Sequence, residues 1–361
     1  MGDVNPFSRD AEADAVVDDP RWFAEDYDPA TRSFSFALTD PAALAQQTFL
    51  DQRWKRAGLP RRRVHLDSIA ARMPADAPLP PLNFIWHTSY CCSTLISKAL
   101  ACEDRNLCLR EPWILVPAAD AKRAAATARG LAPPRLSEIV FRLLGRPAIE
   151  GGQVTAKPSN FVNCLAGDAA ALTSGKALFL YSDLPSFLIS VAKSGVQVHK
   201  YVRRLFGNIA GDARERLPWS PQEIFLLSDL EIAAVVWHMQ MAEFRRNLPL
   251  WGRGRAASLN CDSFLADPAA TLAKLDGFFA LGLGEEHIGR IVDGPLLKQH
   301  AKLPDEPFDA GRRKREAESV RRQTGYNLDR IVAWSYEACR GTPPGAPLAD
   351  PLVCIEKHDR V

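Results

Sequence analysis

Short apolar runs alternate along the chain with stretches whose apolar residues recur at helical spacing. Residues 83–100 (NFIWHTSYCCSTLISKAL) show the pattern most compactly. Phe84, Ile85 and Trp86 read as a buried strand, residues 87–93 as a small polar loop, and Thr94, Leu95, Ile96, Ala99 and Leu100 as the start of a helix. Residues 106–110 lead to Glu111, Pro112 and Trp113 at a strand end, and residues 153–156 form a short strand delivering Lys157, Pro158, Ser159 and Asn160. Residues 176–181 (KALFLY) are the clearest buried strand, followed by Ser182, Asp183, Leu184, Pro185 and a helix from Ser186; Ala257, Ser258 and Leu259 read as a last core strand. Helical patterns cover 121–145, broken near Pro133 and Pro134, then 224–246 and 268–280. Strand then helix, repeated, predicts an α/β fold with a central parallel sheet flanked by helices and right-handed crossovers. Ligands in such sheets sit at the carboxyl ends of the strands. That edge would gather the loop at 87–94, Glu111, Lys157 and residues 182–190.

The two ends read differently from the centre. Residues 1–80 are expected to be an N-terminal extension packing on the core, with Trp22 and Phe23 as anchors and a helix over 41–57 through Leu44, Phe49 and Trp54. Arg53, Lys55, Arg56, Arg61, Arg62 and Arg63 form a basic run that reads either as a solvated helix end or as a reach toward an anionic ligand. The proline-rich residues 74–81 lead into an α/β domain over 81–300. A strongly basic helical segment (311–322) and a proline-rich tail (341–352) fall in the remaining part, 301–361.

Composition narrows the classes. A chain of 361 residues, 47% hydrophobic and 24% charged, is an ordinary globular protein of one elaborated domain or two ordinary ones. Its net charge of +2 gives no overall push toward nucleic acid or an anionic membrane, so an anion site must be local. No run approaches the roughly 18 apolar residues of a membrane span. The acidic start, with Asp10, Glu12, Asp14, Asp18 and Asp19, lacks the basic flank and apolar centre of a signal peptide, so a cytoplasmic protein is expected. The eight cysteines are then expected to be reduced, and no metal is expected: there is no C-x-x-C pair, and adjacent Cys91 and Cys92 fit poorly around one tetrahedral ion with Cys102 and Cys108.

The junction at 87–94 carries the candidate chemistry. The first amides of a helix have no intrahelical partner and attract an anion such as phosphate, and Ser93 and Thr94 add hydroxyl donors. Against G-x-x-x-x-G-K-[ST], Thr94 survives, but His87 and Cys92 occupy the glycine positions and Ser93 the lysine position, which argues against an ATPase, a kinase or another phosphotransferase. The segment from Ser89 to Leu95 instead resembles the 5′-phosphosulfate loop of sulfotransferases, P-[RK]-S-G-T-T-L. Ser93, Thr94 and Leu95 keep their character, Tyr90 replaces the basic residue and Cys92 the glycine. If position 92 requires φ > 0, that cysteine costs on the order of 1 to 2 kcal/mol.

Three further segments follow the family's order. Ser182 to Ser190 resembles R-[DN]-P-x-D-x-x-x-S, with Ser190 eight residues after Ser182 but serine in place of the arginine. Lys157, Pro158, Ser159 and Asn160 resemble K-[ST]-P-x-N. The stretch from Asn260 to Leu272 echoes Y-E-D-L-x-x-D-P-x-x-T-L. The resemblance covers about 83–284 and implies a P-loop-like three-layer fold and transfer of a sulfuryl group from 3′-phosphoadenosine 5′-phosphosulfate. The acceptor would be a hydroxyl or amine of a small molecule or carbohydrate. It further implies that Tyr90, Cys91, Cys92, Ser93 and Thr94 hold the 5′-phosphosulfate, and that Ser182 and Ser190 lie at the 3′-phosphate, with Arg203, Arg204 or residues 312–315 supplying the missing cation. Lys157 is the candidate cation at the transferring group and Glu111 the candidate base, with His87 as the alternative. A degenerate member that binds nucleotide without turnover stays open.

Overall fold

The computed structural model describes residues 6–127, 135–212, 217–297, 299–300, 303–307, 310–339 and 348–353. Its strands are β1 (Trp22–Asp28), β2 (Ser33–Leu38), β3 (Arg61–His65), β4 (Leu82–His87), β5 (Asn106–Arg110), β6 (Gln153–Lys157), β7 (Ala177–Tyr181), β8 (Ala256–Asn260), β9 (Gln299–His300) and β10 (Leu303–Pro307). The helices begin with α1 (Pro6–Asp18), α2 (Pro41–Gln46), α3 (Leu66–Arg72), α4 (Ser93–Ala99), α5 (Leu115–Ala126), α6 (Leu136–Leu144), α7 (Ala166–Leu172) and α8 (Leu184–Lys193). They continue with α9 (Val196–Ile209), α10 (Pro221–Leu226), α11 (Asp229–Asn247), α12 (Cys261–Ala266), α13 (Pro268–Phe279), α14 (Gly284–Asp293) and α15 (Ala310–Ala338).

The protein is α/β, with a parallel sheet of order β5-β6-β4-β7-β8 flanked by helices. Every residue of β4, β5 and β7 is buried, which is why residues 84–86, 107–109 and 177–181 within them are apolar. The chain leaves β4 toward β5 on one side and β7 toward β8 on the other, so these neighbouring strands form a topological switch point. No helix among the described residues is long and apolar enough to cross a membrane.

The chain divides into two compact units. One comprises Met1–Ile85, Leu100–Ala177 and Phe279–Leu283; the other comprises Trp86–Ala99, Leu178–Phe278 and Gly284–Val361. In the first, β1, β2 and β3 make an antiparallel sheet in which Glu25 sits at a register shift between Ala24 and Asp26. The helix expected over 41–57 ends at Gln46. Its apolar positions 44, 49 and 54 are five apart rather than three or four, and Leu50 pairs its backbone instead with Arg110 (2.7 Å) and Trp113 (3.1 Å). Arg61, Arg62 and Arg63 of the basic run lie in β3, where Arg62 stacks on Trp22 at 4.5 Å.

Buried arginines fasten this unit by satisfying chain carbonyls. Arg110, the last residue of β5, reaches the end of α2, donating from Nε to the Gln47 carbonyl (2.8 Å) and from Nη2 to that of Ala45. Arg146 donates to the carbonyls of Val16 and Val17 in the last turn of α1, of Asp19 just beyond it and of Trp22 at the start of β1, and burial pulls its pKa down to about 10. The carbonyls in the last turns of α1 and α2 have no intrahelical partner, and a cation at a helix C-terminus also meets the favourable end of the macrodipole.

In the second unit the pattern over 224–246 resolves into two helices, because Ser228 caps α11 in a reciprocal capping box with Glu231. Trp237 of α11 donates to the Ser182 carbonyl (2.9 Å), Gln240 donates to that of Thr88 (3.3 Å), and Phe244 packs edge-on to Phe179 at 5.1 Å. His238 lies buried against Tyr336 at 4.8 Å and hydrogen-bonds Ser335 at 3.1 Å; burial, with Arg245 nearby, pushes its imidazole down to about 4. A base held neutral in the fold gains a proton on unfolding, so its contribution is full above pH 6.5 and falls away toward pH 4. That contribution is on the order of 3 kcal/mol. Urea unfolding at several pH values is expected to show His238→Gln losing correspondingly less stability than the parent between pH 7 and 4.5.

Candidate functional site

The loop between β4 and α4 is built on backbone that glycine would favour, yet holds no glycine. Ser89, Tyr90 and Cys92 have φ of 74°, 53° and 62°, so Cys92 does occupy a left-handed position. Tertiary contacts hold the conformation. The Thr88 amide donates to the Leu180 carbonyl at 3.2 Å, the Ser89 amide to His87 Nδ1 at 3.1 Å, and the Ser89 hydroxyl pairs with that of Tyr201 at 2.9 Å. Tyr90 sets its ring edge-on to Phe187 at 5.7 Å, and burial pushes its phenol up to about 12. Cys91 donates its thiol to the Leu180 carbonyl at 3.5 Å.

Three hydroxyls at this switch point are buried and lack a hydrogen-bond partner among the described residues: Thr88 after β4 (0% exposed), Thr94 in the first turn of α4 (4%) and Ser182 after β7 (0%). A buried hydroxyl without a partner costs about 1 to 3 kcal/mol, and such groups are rare in folded proteins. Three of them beside a strained loop make a ready set of donors for an anion. Helix α4 spans only Ser93–Ala99, so the loop and its hydroxyls, rather than a long helix dipole, define the site.

The other expected donor residues are engaged elsewhere. Ser190 donates its hydroxyl to the Ser186 carbonyl one turn back in α8 (2.9 Å). Arg203 is paired to Asp229 at 2.5 Å and to the Leu227 carbonyl at 2.7 Å, fastening the start of α11, where His199 also meets Asp229 at 3.2 Å. Arg204 lies on the exposed face of α9, and the side chains of 312–315 fall outside the described residues. Thr88 sat inside the expected loop without being singled out. Trp237 and Gln240, which hold the Ser182 and Thr88 backbone, come from a helix more than 50 residues further along, and nothing local in the sequence marks them.

The first unit holds a second cluster. Glu111 follows β5 in a left-handed conformation (φ 55°), and its amide donates to the Lys157 carbonyl at 2.7 Å. Lys157 Nζ meets Glu111 Oε1 at 2.6 Å with its side chain 1% exposed, so it is no surface lysine. Arg53 meets the other oxygen at 2.9 Å; its guanidinium lies 3.5 Å over the Phe49 ring, and its side chain is half exposed. One carboxylate is thus held between a fixed buried cation and a reachable one.

No protein-family model matches the sequence, and no curated protein matches it. Among solved structures the chain is similar to sulfotransferases. One is the sulfotransferase domain from the curacin biosynthetic pathway, at 15% identity over 69% of this chain and 99% of that one, with a TM-score of 0.44. A second is the sulfotransferase from Alicyclobacillus acidocaldarius, at 13% identity over 73% and 97%, TM-score 0.35. A third is a sulfotransferase from Mycobacterium avium, at 13% identity over 70% and 77%, TM-score 0.38. With TM-scores below 0.5, these likenesses carry no part of the functional reading, which rests on the residues above.

The lone hydroxyls make a stability prediction. Thr94→Val, which deletes an unpartnered group, is expected to leave unfolding free energy within about 0.5 kcal/mol of the parent or to raise it. Thr173→Val is expected to cost about 1 to 3 kcal/mol, because Thr173 accepts from the Leu82 and Gly175 amides. Denaturant titration of both variants checks the contrast.

Proposed function

We propose that this protein transfers a sulfuryl group from 3′-phosphoadenosine 5′-phosphosulfate to a hydroxyl or amine on a small-molecule or carbohydrate acceptor. The observation that carries the reading is the set of buried, unpartnered hydroxyls of Thr88, Thr94 and Ser182 beside the left-handed loop. They fit the 5′-phosphosulfate end of such a donor, together with Ser93 and the loop from Tyr90 to Cys92. When bound, the donor supplies the activated sulfuryl group and a phosphate that leaves.

Sulfuryl transfer is governed mainly by alignment and charge stabilisation. In this reading Glu111 takes the proton from the acceptor. Lys157 fixes Oε1 of that carboxylate, and the half-exposed Arg53 on Oε2 yields as the acceptor arrives. Lys157 has two further donors to offer the transferring group or the leaving phosphate. His87 is the poorer base: its Nδ1 accepts from the Ser89 amide, which in the neutral ring leaves the proton on Nε2.

A second reading, a protein that binds the nucleotide without turnover, is favoured by the engagement of Ser190 with Ser186 and of Arg203 with Asp229. Titration calorimetry against adenosine 3′,5′-bisphosphate, adenosine 5′-phosphate and ATP separates the classes. Preference for the bisphosphate supports both readings, whereas preference for ATP overturns both. Product formation with donor and an acceptor panel then divides them. Under the first, Glu111→Gln is expected to lower kcat by about 10²-fold or more while bisphosphate affinity stays unchanged; full turnover in that variant removes Glu111 from the base role.

A further inference from the structure

Most of the basic run from Arg53 to Arg63 is engaged by the fold. Arg56 donates from Nη2 to the Asp51 carbonyl at 3.0 Å and brings Nη1 to 3.6 Å from the buried carboxylate of Glu25. Arg61 lies 3.8 Å from that same Glu25, Arg62 stacks on Trp22, and Arg63 lies 3.8 Å from Asp28. Arg53 differs. Its Nε and Nη2 fork the Asp51 carboxylate at 2.9 and 2.5 Å, and Nη2 also meets Glu111 Oε2 at 2.9 Å. Its Nη1, with two N–H groups, has no hydrogen-bond partner among the described residues, and the side chain is 56% exposed. The guanidinium is nonetheless fixed in place. The Phe49 ring centre lies 3.5 Å from it, and Asp51, which holds one edge, is itself tied by accepting the Arg53 amide at 2.9 Å.

We propose that the acceptor is a hydroxy acid, whose hydroxyl gives its proton to Glu111 and whose carboxylate takes the outward edge of Arg53. As an acceptor the acid rests on the sulfuryl-transfer reading; as a ligand of Arg53 it does not. A guanidinium positioned before its ligand arrives meets a planar carboxylate with parallel N–H donors, and little ordering is left to be done. Charge acts in the same direction. Glu111 lies between Lys157 and Arg53, so once it holds the hydroxyl proton those two cations face one carboxylate, that of Asp51, where there were two. The acid restores the missing negative charge. An amine does the reverse: as an ammonium it has no lone pair with which to attack, and it stands as a third cation beside Lys157 and Arg53. The class is thereby narrowed from hydroxyls and amines to hydroxyls that neighbour a carboxylate.

The test measures dissociation constants with the whole protein by ligand-observed NMR at pH 7, without nucleotide, for two matched sets. One is D-glucuronate, D-glucose and D-glucosamine; the other is 3-hydroxybenzoate, 3-hydroxybenzamide and 3-hydroxybenzylamine. In at least one set the acid is expected to bind about tenfold more tightly than its neutral partner, as a charge-assisted fork implies, and in neither does the amine bind best. Arg53→Met is expected to erase the acid's advantage. Lys55→Met, which removes an exposed cation two residues away, is expected to keep it. Arg53→Lys, which retains one charge and loses the fork, is expected to keep only part of it, and decides should Arg53→Met not fold. No acid preference in either set, an amine preferred in either, or a preference undiminished in the Arg53 variants would overturn the proposal. Acid binding through Arg53 in a protein that prefers ATP defeats the transferase reading and leaves the acid site standing, whereas bisphosphate preference without acid preference keeps that reading and removes this inference.

Discussion

The second unit depends on a loop that its own sequence disfavours. Ser89, Tyr90 and Cys92 each sit where a side chain costs on the order of 1 to 2 kcal/mol relative to glycine. The surroundings over-determine the shape: β7 takes the Thr88 amide and the Cys91 thiol, Tyr201 takes the Ser89 hydroxyl, and α11 holds the backbone carbonyl of Thr88 through Gln240 and of Ser182 through Trp237. Each such contact is worth about 1 kcal/mol net, which is comparable with the strain it opposes. Strain is maintained in this way beside the Thr88, Thr94 and Ser182 hydroxyls, which have no partner among the described residues.

The first unit repeats the logic with charge. Glu111 is also left-handed, and its amide and both carboxylate oxygens are spoken for by Lys157 and Arg53. A buried ion pair contributes little net stability against its desolvation, while loss of one partner leaves a costly buried charge. The pair therefore adds little as a fastening. The fastening is done by Arg110 and Arg146, whose partners include carbonyls at the ends of α2 and α1.

What the sequence made legible follows from which interactions are local. Strands β4 and β7 can be read because burial on both faces writes an apolar run, and the loop residues Ser93, Thr94 and Ser182 can be read because they follow those runs. The antiparallel sheet of β1, β2 and β3 was hidden: the acidic WFAEDYD and basic RRRVH segments look like solvated surface until β2 pairs with both. The apolar positions at 44, 49 and 54 suggest a helix in the sequence because the pairing of Leu50 with Arg110 and Trp113 is not local. Likewise, the motif's spacing points to Ser190 but says nothing of Ser186, and the need for a cation points to Arg203 but says nothing of Asp229.

The most direct measurement is a structure determined with adenosine 3′,5′-bisphosphate bound. The account predicts the 5′-phosphate oxygens within hydrogen-bonding distance of the Thr94 and Ser182 hydroxyls, with the left-handed conformations of Ser89, Tyr90 and Cys92 retained. A 5′-phosphate seated elsewhere, with those hydroxyls still without partners, would contradict it.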